Sequence, residues 1–482
     1  MHFSVSFKIL GLLLMVFSST MLTPLVFALV EGDETVSAFL TALGITFFSG
    51  LLLWLPARMA SHELQIRDGF LITSLFWTVL GLFGALPLLL TDALHLTPAA
   101  AVFESISGLT SAGGTVIVGL DTLPRSILLW RQLLQWMGGI GIIVIAVAVL
   151  PMLGIGGMQL YKAETPGPSK NSKLTPRITE TAKLLFAVYL MLTVACATTY
   201  YLLGMSVFDA VGHSFSTVSL GGFSTHDASM GFFKNDYILV ASSFFMLVSA
   251  MNFGLHYMVW HRKSINVYAA DSETRFFFAA MAVCVGITVC YLLYAEIQGP
   301  RVSIIHGLFQ VVSIVTTTGY STEYLATWPI VLPVMAIFFS CMGGCVGSTT
   351  GGIKAMRVML MFKQGVRELK QLVHPNAVIP LKVGRRRVEA SIVSAVWSFF
   401  AVYTSAFIIL TLLIMATGQD FLTAFAAVAA CINNSGIGIG GVGSNFSPLS
   451  ETAKLILSFA MLLGRLEIFT LLVLFTPAFW RR

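Results

Sequence analysis

Ten apolar stretches, each long enough to cross a bilayer, constrain this chain more than any other feature. They run approximately over 4–30, 36–57, 69–91, 126–152, 182–204, 236–260, 276–297, 328–362, 391–417 and 453–479. A spanning helix needs about 20 apolar residues. Lipid offers the backbone no hydrogen-bond partners, so only helices and closed barrels cross it. Of the 482 residues 56% are hydrophobic and 10% are charged, against about 25% charged in soluble domains. A water-soluble globule is excluded. Val26-Phe27-Ala28 resembles a signal-cleavage site, but the apolar core before it outruns the roughly 7–15 residues of a signal peptide. The first stretch therefore reads as a retained helix. Cys196, Cys284, Cys290, Cys341, Cys345 and Cys431 lie in apolar stretches without a CxxC pair, and no HExxH is present. Buried free thiols are expected, not disulfides or a metal site.

Four further apolar stretches, near 97–109, 206–218, 302–315 and 420–432, are too short to span. Each lies between two long ones, which makes them re-entrant half-helices on one side of the membrane. Orientation follows from Lys and Arg. With ten crossings and the N-terminus inside, 22 of the 28 basic residues fall on one side, as the positive-inside rule requires of the cytoplasmic face. Both termini are then cytoplasmic. The positive charge is a topological address and not a nucleic-acid footprint. Acidic residues such as Asp121, Asp227 and Glu451 gather on the opposite side, where they concentrate cations.

Each short stretch ends in the same kind of turn. The four turns are Thr110-Ser111-Ala112-Gly113, Ser219-Leu220-Gly221-Gly222, Thr316-Thr317-Thr318-Gly319 and Asn433-Asn434-Ser435-Gly436. Their final glycines are 109, 97 and 117 residues apart. The chain thus divides into two N-terminal helices (1–60) and four helix–loop–helix repeats (61–160, 161–265, 266–375 and 376–482). The fold class is an all-α integral membrane protein. Non-helical backbone at membrane depth is tolerated only where it is buried in protein or lines water. Four such turns around one axis stack carbonyl rings that replace a cation's hydration shell. Each half-helix also aims the negative end of its dipole at the turn.

The eighth stretch is broken by a ten-residue loop at 343–352. Its Gly343, Gly344, Gly347, Gly351 and Gly352 cannot hold a regular helix, at about 1 kcal/mol each relative to Ala. Together with Ser348, Thr349 and Thr350 it reads as a movable barrier beneath the turns. No GK[ST] is present, so it is not a phosphate-binding loop. Arg465 falls about midway along the last stretch, where a charge costs at least ~2.5 kcal/mol and must find buried acceptors. Glu467, two residues on, faces elsewhere on a helix. His213, His306, Glu104, Asp209 and Asp420 lie on or near the half-helices; Asp209 and Asp420 read as helix caps, and Glu104 as a brace for nearby backbone.

These motifs closely resemble the membrane subunit of the bacterial Trk potassium uptake system, in the Trk/Ktr/HKT superfamily. The resemblance rests on GLTSAGG at 108–114, GHSFSTVSLGGFSTHD at 212–227, TTTGYST at 316–322 and NNSGIG at 433–438. It extends to MGGIGI at 137–142, GGCVGSTTGG at 343–352, KQGVRELKQLVHPNAV at 363–378 and GRLEIFTLLVLFTPAFWR at 464–481. It implies a pseudo-tetrameric, potassium-channel-like pore with K+ held at the four turns and no other cofactor. It also implies a homodimer in the bacterial inner membrane and a TrkA-like cytosolic ring that binds nucleotides. In the superfamily a serine at the first filter-glycine position goes with sodium, so Gly113 points to potassium. The basic stretches 162–177 and 363–387 are the expected docking surface for the ring. Two other functions compete with the gated pore. A cation-coupled transporter with alternating access usually shows a twofold repeat, and an intramembrane enzyme using Ser348 lacks a suitably placed histidine.

Overall fold

The computed structural model describes residues 3–60, 66–144, 174–322, 328–384 and 386–481. In chain order, α1 (Phe3–Glu31), α2 (Val36–Ala57) and α3 (Arg67–Leu90) precede the first short helix, α4 (Pro98–Leu109), and then α5 (Arg125–Val144). Next come α6 (Leu174–Leu202), the short α7 (Val207–Ser219), α8 (Asp236–Ser249) and α9 (Phe253–Arg262). The third group is α10 (Ser272–Tyr294), the short α11 (Pro300–Val315), α12 (Val331–Ser340) and α13 (Ala355–Val373). A small antiparallel hairpin, β1 (Lys382–Val383) with β2 (Arg386–Arg387), precedes α14 (Ala390–Met415) and is an exception to the all-helical expectation. The short α15 (Phe421–Ile432), α16 (Glu451–Arg465) and α17 (Phe469–Phe475) follow, with a last helical turn at Pro477–Trp480.

Among the described residues, six helices are long and apolar enough to cross a membrane, or eight if each of two bent pairs counts as one span. Those pairs correct the sequence reading, which took 236–260 and 453–479 as continuous. The chain turns by 91° between α8 and α9 and by 109° between α16 and α17. Neither break is written in glycine or proline. At the first, the Asn252 side chain accepts the Gly254 N–H at 2.7 Å and so starts α9 afresh. At the second, Glu467 and Ile468 both have positive φ, 52° and 58°. Arg465 therefore stands at the end of a helix and not at mid-helix. The segment 145–173 lies outside the described residues, and with it Lys162, Lys170 and Lys173 of the expected docking surface, as does Arg385.

Burial separates the two kinds of helix. The long ones show lipid a wide face, as α14 does with Ile408, Ile409, Leu412 and Leu413. The short ones are sheathed: Ala426 to Ser435 are all buried. Each starts with a local device that suits a helix N-terminus. Thr97 accepts the Ala100 N–H before Pro98, and Ser206 accepts from Asp209. Gly299 precedes Pro300, and Asp420 accepts from Thr423. Asp420 is thus a cap as expected from sequence, whereas the cap of α7 is Ser206 and not Asp209. Outside the repeats, α1 and α2 cross where Gly11 and Gly50 each face the other's backbone oxygen, the close approach that small residues allow between membrane helices. All six cysteines are free; Cys290 is exposed and Cys341 half-buried, against the expectation that all are buried.

Candidate functional site

The four short helices end in one shape. The third turn residue donates its N–H to the helix carbonyl five residues back, at 2.8 Å in every case: Ala112 to Ser107, Gly221 to Ser216, Thr318 to Ser313 and Ser435 to Ala430. This is the Schellman end of a helix. Its left-handed position is taken by Ser111, Leu220, Thr317 and Asn434, with φ between 52° and 59°. From the sequence, small residues and glycine at the turn are expected to take positive φ; Leu220, Thr317 and Asn434 take it as well. An L-residue there costs roughly 1–2 kcal/mol, so the set holds strain comparable with a domain's whole margin of about 5–15 kcal/mol. Strain of this kind concentrates at functional sites.

The final glycines Gly113, Gly222, Gly319 and Gly436 have φ of 82°, 78°, 92° and 64°. They are also where the turns touch. A Cβ on Gly113 would run into Gly221 O, one on Gly222 into Thr318 O, one on Gly319 into Ser435 O, and one on Gly436 into Ala112 O. None of these gaps exceeds 2.5 Å. The contacts run from the first turn to the second, third and fourth and back to the first, so the turns form a closed ring. Among the described residues, no donor reaches the carbonyls at the first, second and fourth positions of any turn. Buried carbonyls are normally paired. A ring of unpaired ones at the negative ends of four helices suits a desolvated cation.

Side chains behind the ring hold it open, and most of them escaped the sequence reading. Ser107 donates to Gly114 O at 2.5 Å, Ser216 to Phe223 O at 2.7 Å and Ser313 to Tyr320 O at 2.7 Å. Each of these serines stands six residues before a turn glycine, a regularity that the alignment of the repeats contains. Gln135 donates to Gly221 O and Gln132 to Phe223 O. Glu104 is fully buried, pairs with Arg131 at 2.8 Å and accepts the Val116 N–H, which is the bracing role expected of it. His213 joins the Asp209 carbonyl to Ser224, and Gln310 spans Tyr320 and Thr322. His306 lies 3.9 Å from Asp236, near the middle of α11 and well short of the ring.

Beneath the ring, where the short helices end, the glycine-rich loop folds back on itself. Ile353 donates to Cys341 O at 2.9 Å and Ala355 to Gly344 O at 2.9 Å. Gly343 and Gly351 pack backbone to backbone. Ser348 and Thr350 share a 2.7 Å hydrogen bond inside the fold. Thr349 Oγ1 donates to Val218 O at 3.2 Å, the Gly351 N–H donates to Thr317 Oγ1 at 2.8 Å, and Gly351 abuts Asn433 O. The loop therefore contacts the second, third and fourth units. Arg465 completes the set, donating to Thr349 O at 2.9 Å and to Ser111 Oγ and Gly138 O at 3.3 Å. Glu467 pairs instead with Arg357.

Two residues anchor the loop: Glu273, for which the sequence suggests no role, and Lys354, which the basic-residue count places on the cytoplasmic face but which is buried. Glu273, at the start of α10, accepts the N–H of Val346 at 2.8 Å and of Met356 at 3.0 Å, pinning both ends. Buried Lys354, with φ of 81°, donates to Thr350 O. A lysine adjoining a glycine-rich break at membrane depth was the available signal.

On the acidic side, His226 bridges the first two units. Its Nδ1 lies 2.5 Å from Asp121 and its Nε2 lies 3.3 Å from Asp209, while the ring stacks on Phe232. Burial alone would lower its pKa, but its contacts with Asp209 and Asp121 outweigh that and raise it above 6.5.

Long apolar helices with wide exposed faces around a buried ring of turns define a multi-pass membrane protein. Residues 36–482 match the family described as TrkH, cation transport protein, and the chain belongs to that family. It is 52% identical over 479 residues to the Trk system potassium uptake protein TrkH of Halomonas elongata, covering 98% of each chain. It is 50% identical over 482 residues to the Trk system potassium uptake protein TrkH of Escherichia coli, covering 100% of each. The crystal structure of the potassium transporter TrkH from Vibrio parahaemolyticus resembles it with a TM-score of 0.94, at 48% identity and 100% coverage of both chains.

Proposed function

We propose that the chain takes up potassium across the bacterial inner membrane through a gated, pseudo-fourfold pore. The closed ring of four matching turns is the observation that carries this reading. Carbonyls of Thr110, Ser111 and Gly113 and their counterparts, with that of Ala112 and its counterparts where unpaired, replace the water around K+. The loop at 343–352 and Arg465 form the barrier beneath. Two unit charges 4 Å apart repel by about 4 kcal/mol at an effective dielectric of 20, which slows passage roughly a thousandfold. Four equivalent turns favour a pore over alternating access, where a twofold arrangement is usual. The homologous Trk names support a place within a multi-component system. In that system a nucleotide-binding cytosolic ring of the TrkA type docks on 363–387 and sets the barrier, and two copies of this chain associate.

Ion flux into liposomes holding the purified protein alone tests the reading. Potassium should pass more readily than sodium, and Ser at Gly113, Gly222, Gly319 or Gly436 should narrow the difference. Ion preference untouched by all four substitutions would remove the ring from the ion path.

A further inference from the structure

The four turns share one backbone, but the fourth lacks the supports of the others. Six residues before the turn glycine stand Ser107, Ser216 and Ser313, each tying down the strand that leaves its turn; in the fourth unit the position is Ala430. Nine residues before the glycine stand Glu104, His213 and Gln310, each bonded to that same outgoing strand; the fourth unit has Ala427. Both replacements fall in one unit. The 2.8 Å bond that defines the turn is present in all four, and the fourth alone adds a bond from the Ile437 N–H to Ser435 O at 2.8 Å. The fourth turn is held from below instead. Tyr403 donates to the Asn433 side chain at 2.7 Å, and the Asn434 amide donates to Met461 O on α16 at 3.2 Å.

Resting on the filter reading above, we infer that the fourth turn is the compliant quarter of the ring and that Ala430 limits discrimination between potassium and sodium. A rigid carbonyl ring cannot close around a smaller ion, whereas a wall without a tie next to its filter glycine can; the first tie from α15 to the fourth outgoing strand comes only at Gly441, whose N–H donates to Thr423 Oγ1 at 2.9 Å. Ring flexibility and carbonyl field both enter ion selectivity, and hydroxyl ties act on the first. The outgoing strand of the fourth unit has no donor on its Ile437 carbonyl among the described residues, so a serine at 430 has an acceptor at the equivalent place. The small, fully apolar pair Ala427 and Ala430 leaves that wall free to move with α16 and the loop below it.

The test is a set of reversal potentials with potassium on one side and sodium on the other, recorded from the purified full-length protein in planar bilayers. Ala430→Ser should raise the potassium-to-sodium permeability ratio several-fold. Ala430→Cys, of similar size but a weaker donor, should raise it less. Ser107→Ala, Ser216→Ala and Ser313→Ala should each lower it several-fold, because each reproduces in another unit what the fourth has already. Should Ala430→Ser fail to fold, the three serine removals still decide the matter. Ratios that stay unchanged in the serine-to-alanine variants, while the glycine substitutions alter them, would overturn this inference and leave the filter reading standing. Ratios indifferent to the glycines as well would overturn both.

Discussion

Leu220 and Thr317 show how much local preference the ring overrides. Both carry bulk at Cβ or beyond, both sit at left-handed φ, and neither position would be chosen for them by helix-ending rules, which favour Gly or Asn. Asn434 alone of the four satisfies that rule. Single-residue preference therefore could not reveal the turn, although its glycine end was legible from Gly113, Gly222, Gly319 and Gly436. At the outer edge, His226 makes a different kind of claim. Its pKa is raised in the folded protein, so the stabilisation from its charge is complete below the unfolded value of about 6.5 and is lost as pH rises through the folded value. Asp121 and Asp209 remain ionised across that window, since both are shifted down. Thermal stability of the wild type should accordingly fall as pH rises above about 6.5 and through the raised folded value, and His226→Gln should flatten that part of the profile. An identical slope in the variant would place the titrating group elsewhere.

Among the elements, the short helices were the easiest to read and the bent ones the hardest. The expected 97–109, 206–218, 302–315 and 420–432 lie within a few residues of α4, α7, α11 and α15 because their polar turns and capping residues mark both ends. Hydropathy is blind to the breaks at 250–252 and 466–468, since Ala250, Met251, Leu466 and Ile468 are apolar and carry no sign of a turn. The loop at 343–352 was legible through its five glycines. Most of its partners were not, because Glu273 and Thr317 are brought to it from distant parts of the chain. Loop and Arg465 are joined by the bond to Thr349 O, so in the proposed reading they act as one barrier. Removing either half should thus have the same sign: Arg465→Ala, and deletion of residues within 345–350, should each raise potassium flux without the cytosolic partner. Given the repulsion estimated above, up to about a thousandfold is available if the charge is the whole barrier. Flat or reduced flux in either well-folded variant would move the barrier to another place.

Across the whole molecule, the repeat accounts for both what is alike and what differs. Four copies of one turn close a ring that no single copy can make, and their pairwise contacts run through glycines in every case. Copies are free to diverge wherever the ring does not need them, and the chain uses that freedom beneath the ring, where one unit supplies the loop and another supplies Arg465. Periodicity in sequence revealed the copies; only the fold revealed which neighbour each glycine touches. The central claim is that ions pass through this ring, and it is tested most directly by unitary currents from purified protein in a planar bilayer with potassium and sodium on opposite sides. The account predicts discrete openings whose reversal potential lies toward potassium equilibrium and shifts toward zero in Gly113→Ser. Absence of unitary openings from protein that still moves potassium, or a reversal potential unmoved by that substitution, would contradict it.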